Sequence, residues 1–151
     1  MKYRRNIGLG EAIAMQMADF VHSLHWELDV LIPVPLGKKR LKERGYNQVA
    51  LVARPLAYQI GIRYEPDALW KTRETRSQVG LTISQRSENV QNAYPADSTV
   101  VKDKSVLIMD DVATTGSTIS ACTATLRSAG AQEVYVLTIA RALPIHGLDR
   151  V

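Results

Sequence analysis

The sequence contains very little cysteine, because Cys122 is the only thiol among its 151 residues. A single cysteine cannot form an internal disulfide, and it cannot supply the clustered thiolates of a structural zinc site. His22, His25 and His146 also lack the spacing to other ligand types that a metal site needs. Low cysteine usage fits a reducing compartment, so we expect a cytoplasmic protein.

Long hydrophobic runs are also missing, although 46% of the residues are hydrophobic. The basic start of the chain resembles the flank of a signal peptide, but Glu11, Gln16 and Asp19 interrupt the apolar core that a signal peptide needs. No other window approaches the roughly 20 apolar residues of a membrane-spanning helix. We therefore expect no membrane among the partners of this protein.

Charge of one sign is only modestly in excess, with 19 Lys and Arg residues against 15 Asp and Glu residues and a net charge of +4. This balance permits an anionic ligand or a nucleic acid without requiring one. The length and composition match one globular domain with a proper hydrophobic core. We therefore expect residues 1–151 to form a single domain.

Two amphipathic helices are predicted in the first half of the chain. Apolar residues recur at spacings of three and four from Gly10 to Leu24, which is the pattern of a helix with one buried face. A second helix is expected after Asn47, a suitable N-cap, with its own apolar stripe. Pro55 lies inside this second helix, and because proline lacks a backbone N–H, we expect a kink or an early break there.

Three short apolar runs predict buried strands, namely D-V-L-I-P-V-P, S-V-L-I-M-D and E-V-Y-V-L-T-I-A. The last two runs flank a helical pattern that ends near Gly130, a residue suited to a helix C-terminus. Strand, helix and strand in that order form a βαβ unit, and such units build parallel sheets. The sequence therefore predicts an α/β fold.

A long polar stretch lies between the first of these strands and the second. The segment A-L-W-K-T could be a strand. After it, residues 73–92 hold few apolar side chains and many Arg, Gln, Asn, Ser and Thr residues. We expect an exposed, mobile loop over about 73–92, with a helix starting near Ser84. Loops of this kind often cover binding sites.

The most informative stretch is V-L-I-M-D-D-V-A-T-T-G-S-T, which runs from Val106 to Thr118. A buried strand leads here through a glycine-containing turn into a helix, so backbone N–H groups and the positive end of the helix dipole converge on one point. Residues Ala113–Thr118, named the phosphate loop below, add small side chains and hydroxyls to that point. The stretch therefore predicts a phosphate site, although it matches neither a P-loop nor a dinucleotide fingerprint.

Two adjacent carboxylates, Asp110 and Asp111, come directly before the phosphate loop. A ligand with both a phosphate and vicinal hydroxyls would suit both features, because carboxylates accept hydrogen bonds from hydroxyls. An ordinary strand with a polar turn is a weaker interpretation, because one carboxylate would face buried surface without a partner. A phosphatase with Asp110 as nucleophile would expect an aspartate at position 112, where the chain has Val112.

The stretch from Val106 to Thr118 resembles the 5-phosphoribosyl 1-pyrophosphate (PRPP) signature of type I phosphoribosyltransferases. The wider chain is similar to the ComF/GntX-like competence protein branch of that superfamily, through I-P-V-P-L-G-K-K-R-L-K-E-R-G-Y-N-Q and T-R-S-Q-V-G-L-T-I-S-Q-R-S-E-N-V-Q-N-A-Y. The resemblance implies a Rossmann-like parallel sheet flanked by helices, with a small hood. The segment before Leu31 and the residues after Arg141 are the expected hood.

The resemblance also implies roles for particular residues. Asp110 and Asp111 would contact the ribose hydroxyls and act in catalysis. Mg²⁺ would be held mainly by the pyrophosphate and ribose oxygens and by water. The remaining implied residues are the 5′-phosphate ligands Ala113, Thr114, Thr115, Gly116 and Ser117, the pyrophosphate loop Pro35, Leu36, Gly37 and Lys38, and Arg73, Arg76 and Gln78 on the mobile loop.

Two functions are compatible with the resemblance. The first is transfer of the phosphoribosyl group of PRPP to an unidentified nitrogenous acceptor, with release of pyrophosphate. The second is a non-catalytic PRPP-binding regulator or adaptor in DNA uptake, competence or nucleic-acid metabolism, with nucleic acid or competence and repair proteins as partners. A homodimer is also compatible, because dimers are common in the superfamily. Members of the branch often begin with a four-cysteine zinc module that these residues do not contain, so functions of that module do not carry over.

A basic run follows the first predicted strand. We expect most of it to be a solvated helix face, and from Lys39 onward this is favoured over a direct ligand role. Contact with nucleic-acid phosphates is only weakly indicated, because Glu43 interrupts the run and Tyr46 is the one aromatic residue nearby. The residues of the run are Lys38, Lys39, Arg40, Lys42 and Arg44.

Overall fold

The protein folds around one parallel sheet, and a computed structural model describes residues 2–72, 80, 82–85, 93–113 and 115–141, with side chains from residue 6 to residue 140. The strands are β1 (Val30–Pro33), β2 (Arg63–Tyr64), β3 (Ser105–Ala113) and β4 (Glu133–Arg141). The helices are α1 (Lys2–Ser23), α2 (Lys38–Arg44), α3 (Ala50–Ile60), α4 (Ser98–Val101) and α5 (Ser117–Ser128).

The four strands lie in the order β2-β1-β3-β4, and every neighbouring pair is parallel. The predicted α/β fold with a parallel sheet is therefore confirmed. The chain leaves β1 toward β2 on one side and reaches β3 on the other side, so the strand order reverses between β1 and β3. Open α/β sheets bind ligands outside the carboxyl ends of the strands at such a switch point.

The two faces of the sheet bury alternate residues of the same strands. On β3, Val106 and Ile108 join the core beneath α5, whereas Leu107 and Met109 join the core beneath α1 and α3. Both faces are covered by helices, which explains why these strands read as continuous apolar runs rather than as an alternating pattern. The sheet is thus a rigid platform that fixes the positions of its carboxyl ends.

Helix α1 belongs to one of these helical layers. It begins at Lys2 and so extends beyond the predicted range of Gly10 to Leu24 at its N-terminal end, where Ile7 and Leu9 are exposed and give no buried stripe to recognise. The segment before Leu31, expected to form part of a hood, lies largely in this helix, and its buried face packs on the sheet side shared with α3. The expected hood residues after Arg141 lie outside the described part of the chain.

Helix α3 runs through Pro55 and ends at Ile60, so the early break predicted at this proline is wrong. The helix buries Val52 and Leu56 against the sheet, and this packing outweighs the lost backbone hydrogen bond. Because Pro55 has no N–H, it cannot donate to the Leu51 carbonyl in the usual helical pattern.

The carbonyl of Leu51 instead faces Gly10 of α1. A Cβ atom added to Gly10 would lie 2.5 Å from the Leu51 oxygen, which is closer than any real contact allows. Only glycine fits at this position, so the two helices cross with their backbones in close contact.

The possible strand at A-L-W-K-T is reduced to an isolated bridge, and it does not join the main sheet. Leu69 forms an antiparallel bridge with Ala96, the Trp70 N–H donates to the Pro95 carbonyl at 3.1 Å, and the Thr72 N–H donates to the Ala93 carbonyl at 3.0 Å. Residues 68–72 and 93–97 together are named the ribbon below.

The helix expected near Ser84 is confirmed by its first turn. The Thr82 hydroxyl accepts from the Gln85 N–H at 3.3 Å, and the Gln85 side chain accepts from the Thr82 N–H at 3.1 Å. This reciprocal pair is a capping box, which marks a helix N-terminus.

Candidate functional site

The site begins where β3 extends beyond the end of its neighbour β1. Pairing between the two strands ends at Pro33 opposite Met109, and the Val34 N–H makes one more bond to the Met109 carbonyl at 2.8 Å. β3 then continues from Asp110 to Ala113 with β4 alone beside it. The predicted acidic pair therefore lies at the switch point of the sheet, next to the open carboxyl end of β1.

Each carboxylate of the acidic pair is oriented by the backbone that follows it. The Asp111 N–H donates to Asp110 Oδ1 at 2.8 Å, and the Val112 N–H donates to Asp111 Oδ1 at 2.8 Å. Both side chains are half-buried. Oxygen atoms that these bonds leave free can accept hydrogen bonds from hydroxyl groups of a ligand.

The pKa of Asp110 is raised from 3.8 to about 6, mainly by burial. The hydrogen bond from the Asp111 N–H lowers this pKa, whereas the hydrogen bond and the negative charge of the Asp111 side chain raise it. Near neutral pH the Asp110 carboxylate is therefore charged at a cost to the free protein. A ligand that donates hydrogen bonds or carries a cation to this carboxylate would remove part of that cost.

The phosphate loop makes a tight turn into α5. Gly116 precedes the helix with φ of 77°, in the left-handed region that favours glycine, although the surrounding space is open. The Thr115 and Ser117 hydroxyls lie 3.0 Å apart, and the Ser120 N–H bonds the Gly116 carbonyl at 2.9 Å. Thr114, also predicted to bind phosphate, lies outside the described residues.

A small cavity of about 30 Å³ lies in the turn of the phosphate loop. Ala113, Thr115, Gly116 and Ser117 all line it, together with Asp110. The structure thus places four of the five predicted 5′-phosphate ligands around one concavity at a helix N-terminus, which is a favourable place for an anion.

A much larger cavity of about 620 Å³ opens beside the acidic pair. Its volume lies in the range of small-molecule binding sites. It brings the predicted pyrophosphate-loop residues Pro35, Leu36 and Gly37 together with both carboxylates. Lys38, the fourth predicted member, starts α2 with an exposed side chain and does not line this cavity. The complete lining consists of Val34, Pro35, Leu36, Gly37, Arg40, Arg44, Val49, Lys71, Tyr94, Asp110, Asp111, Val112 and Thr118.

The loop from Pro35 to Gly37 is anchored at both ends. Asn47 donates from its Nδ2 to the Val34 carbonyl at 3.0 Å, and its Oδ1 accepts from the Val49 N–H at 3.2 Å. Asn47 was predicted to be the N-cap of the second helix, but the N-cap is Val49, so that prediction is wrong. Asn47 instead ties the turn before α3 to the end of β1. At the other end of the loop, the Gly37 carbonyl accepts from the Leu41 N–H at 2.9 Å.

The basic run divides into two arginines that line the large cavity and three lysines that do not. α2 has no buried residue, as a solvated helix face predicts, yet Arg40 and Arg44 line the large cavity. Arg44 is also held by a hydrogen bond from its Nη1 to Gln48 Oε1 at 2.8 Å. These two arginines are spaced i, i+4, so they lie on one face of α2, and this spacing is visible in the sequence.

Sequence reasoning also missed Lys71 and Tyr94, which line the same cavity together with Thr118 of the phosphate loop. The Lys71 ammonium lies 5.6 Å from the centre of the Tyr94 ring. Because Lys71 and Tyr94 are separated by the polar stretch, no local pattern connects them. Arg73, Arg76 and Gln78, the residues predicted to act from the mobile loop, lie outside the described residues, as do residues 86–92.

The two cavities together combine an anion-binding turn, hydrogen-bond acceptors and cations at one end of the sheet. Within the described residues, no cluster of three or more His, Cys, Asp or Glu side chains could hold a metal ion by itself. No helix in the described residues is long and apolar enough to cross a membrane. The anion-binding turn, the hydrogen-bond acceptors and the cations together suit a small ligand that carries both phosphates and hydroxyls.

Comparison with protein families shows the family to which the chain belongs. Residues 47–144 match the phosphoribosyl transferase domain, so the chain belongs to this family. Within it, the chain belongs to the ComF-like branch, because its relatives are competence and DNA utilization proteins.

Two of these relatives show the extent of the match. DNA utilization protein YhgH of Escherichia coli O6:H1 is 36% identical over 115 residues, or 76% of this chain and 50% of that protein. Competence protein F of Haemophilus influenzae is 33% identical over 132 residues, or 86% of this chain and 57% of that protein. The chain thus spans about half the length of the curated relatives it matches.

Solved structures confirm the type I phosphoribosyltransferase fold. The allosteric regulatory enzyme of purine biosynthesis aligns with a TM-score of 0.58 and 27% identity over 89% of this chain and 25% of the enzyme. Adenine phosphoribosyltransferase from Thermoanaerobacter pseudethanolicus aligns with a TM-score of 0.57 and 15% identity over 88% of this chain and 80% of that enzyme.

Proposed function

We propose that this protein binds PRPP together with Mg²⁺ and transfers its phosphoribosyl group to a nitrogenous acceptor, releasing pyrophosphate. The observation that carries the proposal is the meeting of the acidic pair, the phosphate loop and the Pro35–Gly37 loop at the switch point of the sheet. PRPP has one chemical group for each of these three elements: ribose hydroxyls, a 5′-phosphate and a pyrophosphate.

In the proposed complex, the 5′-phosphate binds in the turn of the phosphate loop. The ribose hydroxyls donate to Asp110 and Asp111. The pyrophosphate lies beside the Pro35–Gly37 loop, where Arg40 and Arg44 supply positive charge. The exposed arginines can adjust to the ligand, whereas the carboxylates are already oriented by backbone N–H groups.

The cavity suits Mg²⁺ carried in with the ligand rather than a resident ion. Mg²⁺ commonly keeps several waters and binds through one or two carboxylates plus substrate phosphates. The described residues offer two carboxylates at the cavity and no larger ligand cluster, which fits that pattern. When bound, the ion would neutralise part of the charge of the leaving pyrophosphate.

The transfer step breaks the bond between the ribose anomeric carbon and the pyrophosphate oxygen, whose electron pair leaves with pyrophosphate. A lone pair of the acceptor nitrogen forms the new bond, and the nitrogen then loses its proton to water. Positive charge develops on the sugar in the transition state. The fixed carboxylates of Asp110 and Asp111 are suitably placed to stabilise that charge, because their orientation requires no rearrangement during the reaction.

A second candidate function is a regulator or adaptor that binds PRPP without turnover. It is favoured by the names of the relatives, which refer to DNA utilization and competence rather than to a transferase reaction. In this function the same cavity reports PRPP levels to nucleic acid or to a protein partner. The two functions share the PRPP site and differ only in whether pyrophosphate is released.

The PRPP site can be tested by thermal-shift titration with PRPP and Mg²⁺. Ligand at about 100 times its dissociation constant adds about 2.7 kcal/mol to the free energy of unfolding. For a domain of this size we expect Tm to rise by about 5 to 10 °C. The Asp110→Asn, Asp111→Asn double variant should lose most of this rise, because its amides cannot replace two charged acceptors.

A folded control is needed because the double variant also changes the free protein. Lys102→Gln alters an exposed residue outside both cavities and should keep the full rise in Tm. An unchanged Tm of the parent protein at saturating PRPP would contradict the proposal. If the rise is seen, release of pyrophosphate from PRPP across a panel of bases and amines distinguishes the transferase from the regulator.

A further inference from the structure

The ribbon places Lys71 and Tyr94 directly opposite each other. Its register follows from the Leu69 to Ala96 bridge and from the backbone bonds of Trp70 and Thr72 that flank position 71. Directly opposed residues on antiparallel strands project their side chains on the same side. Here that side is the large cavity, which both residues line.

Tyr94 is well held. Its side chain is 4% exposed and belongs to the core beneath α5, and its hydroxyl is hydrogen-bonded to Thr118 in the phosphate loop. The charged and titratable groups that face this hydroxyl are Cys122, Asp110 and Arg40. Burial raises the pKa of Tyr94, so the hydroxyl stays neutral at physiological pH and can donate or accept a hydrogen bond.

Lys71 is half-buried, and its ammonium lies over the face of the Tyr94 ring. Within the described residues, no carboxylate lies within 4.0 Å of it. The Lys71 ammonium can therefore form a charge-assisted hydrogen bond with an anionic group of a ligand. The cavity that Lys71 lines is the one proposed to hold a polyphosphate.

We propose that Lys71 contacts a phosphate oxygen of the bound ligand, and that Tyr94 is a positioning residue that holds both the Lys71 ammonium and Thr118 of the phosphate loop. This inference rests on the proposed function, because it assigns a further binding residue to the same site. It adds a third ligand-binding element, the ribbon, to the acidic pair and the loops at the strand ends.

The test measures the affinity of Lys71→Gln for PRPP with Mg²⁺, for ribose 5-phosphate and for pyrophosphate, by isothermal titration calorimetry. We expect Lys71→Gln to bind PRPP about tenfold or more weakly than the parent, because a charge-assisted hydrogen bond is removed. The loss should recur with ribose 5-phosphate if Lys71 contacts the 5′-phosphate, or with pyrophosphate if it contacts the diphosphate. Either pattern supports the inference.

Three further variants separate ligand contact from a structural role. Lys71→Arg should bind PRPP with an affinity within about threefold of the parent, because the charge is kept. Tyr94→Phe keeps the ring under the ammonium but loses the hydroxyl, so its loss should be smaller than that of Lys71→Gln. Lys42→Gln removes a charge from the exposed face of α2 outside the cavity and should change affinity little. The salt dependence of binding should weaken in Lys71→Gln and not in Tyr94→Phe.

The outcomes distinguish this inference from the proposed function. PRPP binding that is equal in the parent and Lys71→Gln would overturn the inference and leave the proposed function intact. Binding of pyrophosphate that depends on Lys71, without any binding of PRPP, would support the inference and overturn the proposed function. A parent protein that binds none of the three anions would overturn both.

Discussion

The interior of the sheet and its carboxyl edge are built from opposite kinds of side chain. Among the described residues, every fully buried side chain is hydrophobic, and the central strands β1 and β3 are lined by Val, Leu, Ile and Met. At the edge, the same strand β3 continues into two half-buried carboxylates and a turn rich in hydroxyls. One strand therefore forms first part of the core and then part of the candidate binding site.

This difference indicates that the residues that stabilise the fold and the residues proposed to bind the ligand lie in separate parts of the molecule. The interior stabilises the fold through apolar burial and close packing. The edge holds Asp110 in a charged form that burial disfavours, so it reduces the stability of the free protein. Substitutions in the interior should lower stability and leave binding intact, and substitutions at the edge should do the reverse.

The largest loss of stability is expected for Leu107→Ala in the middle of β3. Leu107 is fully buried between the sheet and helices α1 and α3, so its truncation removes apolar burial and leaves a cavity. We expect the free energy of unfolding to fall by about 3 to 4 kcal/mol, measured by urea denaturation. A loss below about 1 kcal/mol would show that this layer is loosely packed.

A smaller loss is expected for Gly10→Ala, where the new Cβ would press on the Leu51 carbonyl. The helices must separate or α1 must shift, at a cost of about 1 to 3 kcal/mol. Gly8→Ala is the matched control in the same helix, because a Cβ there meets nothing within 4 Å. It should stabilise α1 by about 0.5 to 1 kcal/mol through helix propensity. Equal effects of the two variants in thermal denaturation would rule out the close contact.

At the carboxyl edge, the substitution Asp110→Asn should raise the free energy of unfolding rather than lower it. The folded pKa of Asp110, about 6, is above its ordinary value of 3.8, so ionisation weakens the fold as pH rises from 3.8 through 6. The variant should therefore be more stable than the parent above pH 6, by about 1 kcal/mol once the shift is discounted for solvent exposure.

Thermal denaturation of both proteins at pH 7.5 and at pH 4.5 tests this sign. We expect a Tm advantage of about 2 to 4 °C for the variant at pH 7.5 that shrinks at pH 4.5. A variant that is less stable than the parent at pH 7.5 would mean that the Asp110 carboxylate strengthens the free protein.

The same comparison explains how much could be predicted from the sequence. The acidic pair and the phosphate loop are contiguous, so one local pattern identified both, and the structure places them at the carboxyl end of β3 as that pattern requires. The parallel α/β fold followed from the order of apolar strands and helices. The break expected at Pro55 was wrong because tertiary packing of α3 overrides the local cost of a proline.

The positively charged residues that line the cavity could not be predicted from a local pattern in the same way. Arg40 and Arg44 had a local signal in their spacing, but the basic run as a whole is also the common pattern of a solvated helix. Lys71 and Tyr94 come together only through the register of the ribbon, and that register depends on pairing between distant segments. Contacts set by long-range pairing have no periodic signature in the chain.

The most direct test of the separation between interior and edge is the dissociation constant of PRPP in the presence of Mg²⁺, measured for the parent, Gly10→Ala and Asp110→Asn at a temperature where all three are folded. The account predicts that Gly10→Ala binds within about twofold of the parent, and that Asp110→Asn binds about tenfold to a hundredfold more weakly, because it loses a charged hydrogen-bond acceptor. Equal weakening in both variants, or a parent that does not bind PRPP, would contradict it.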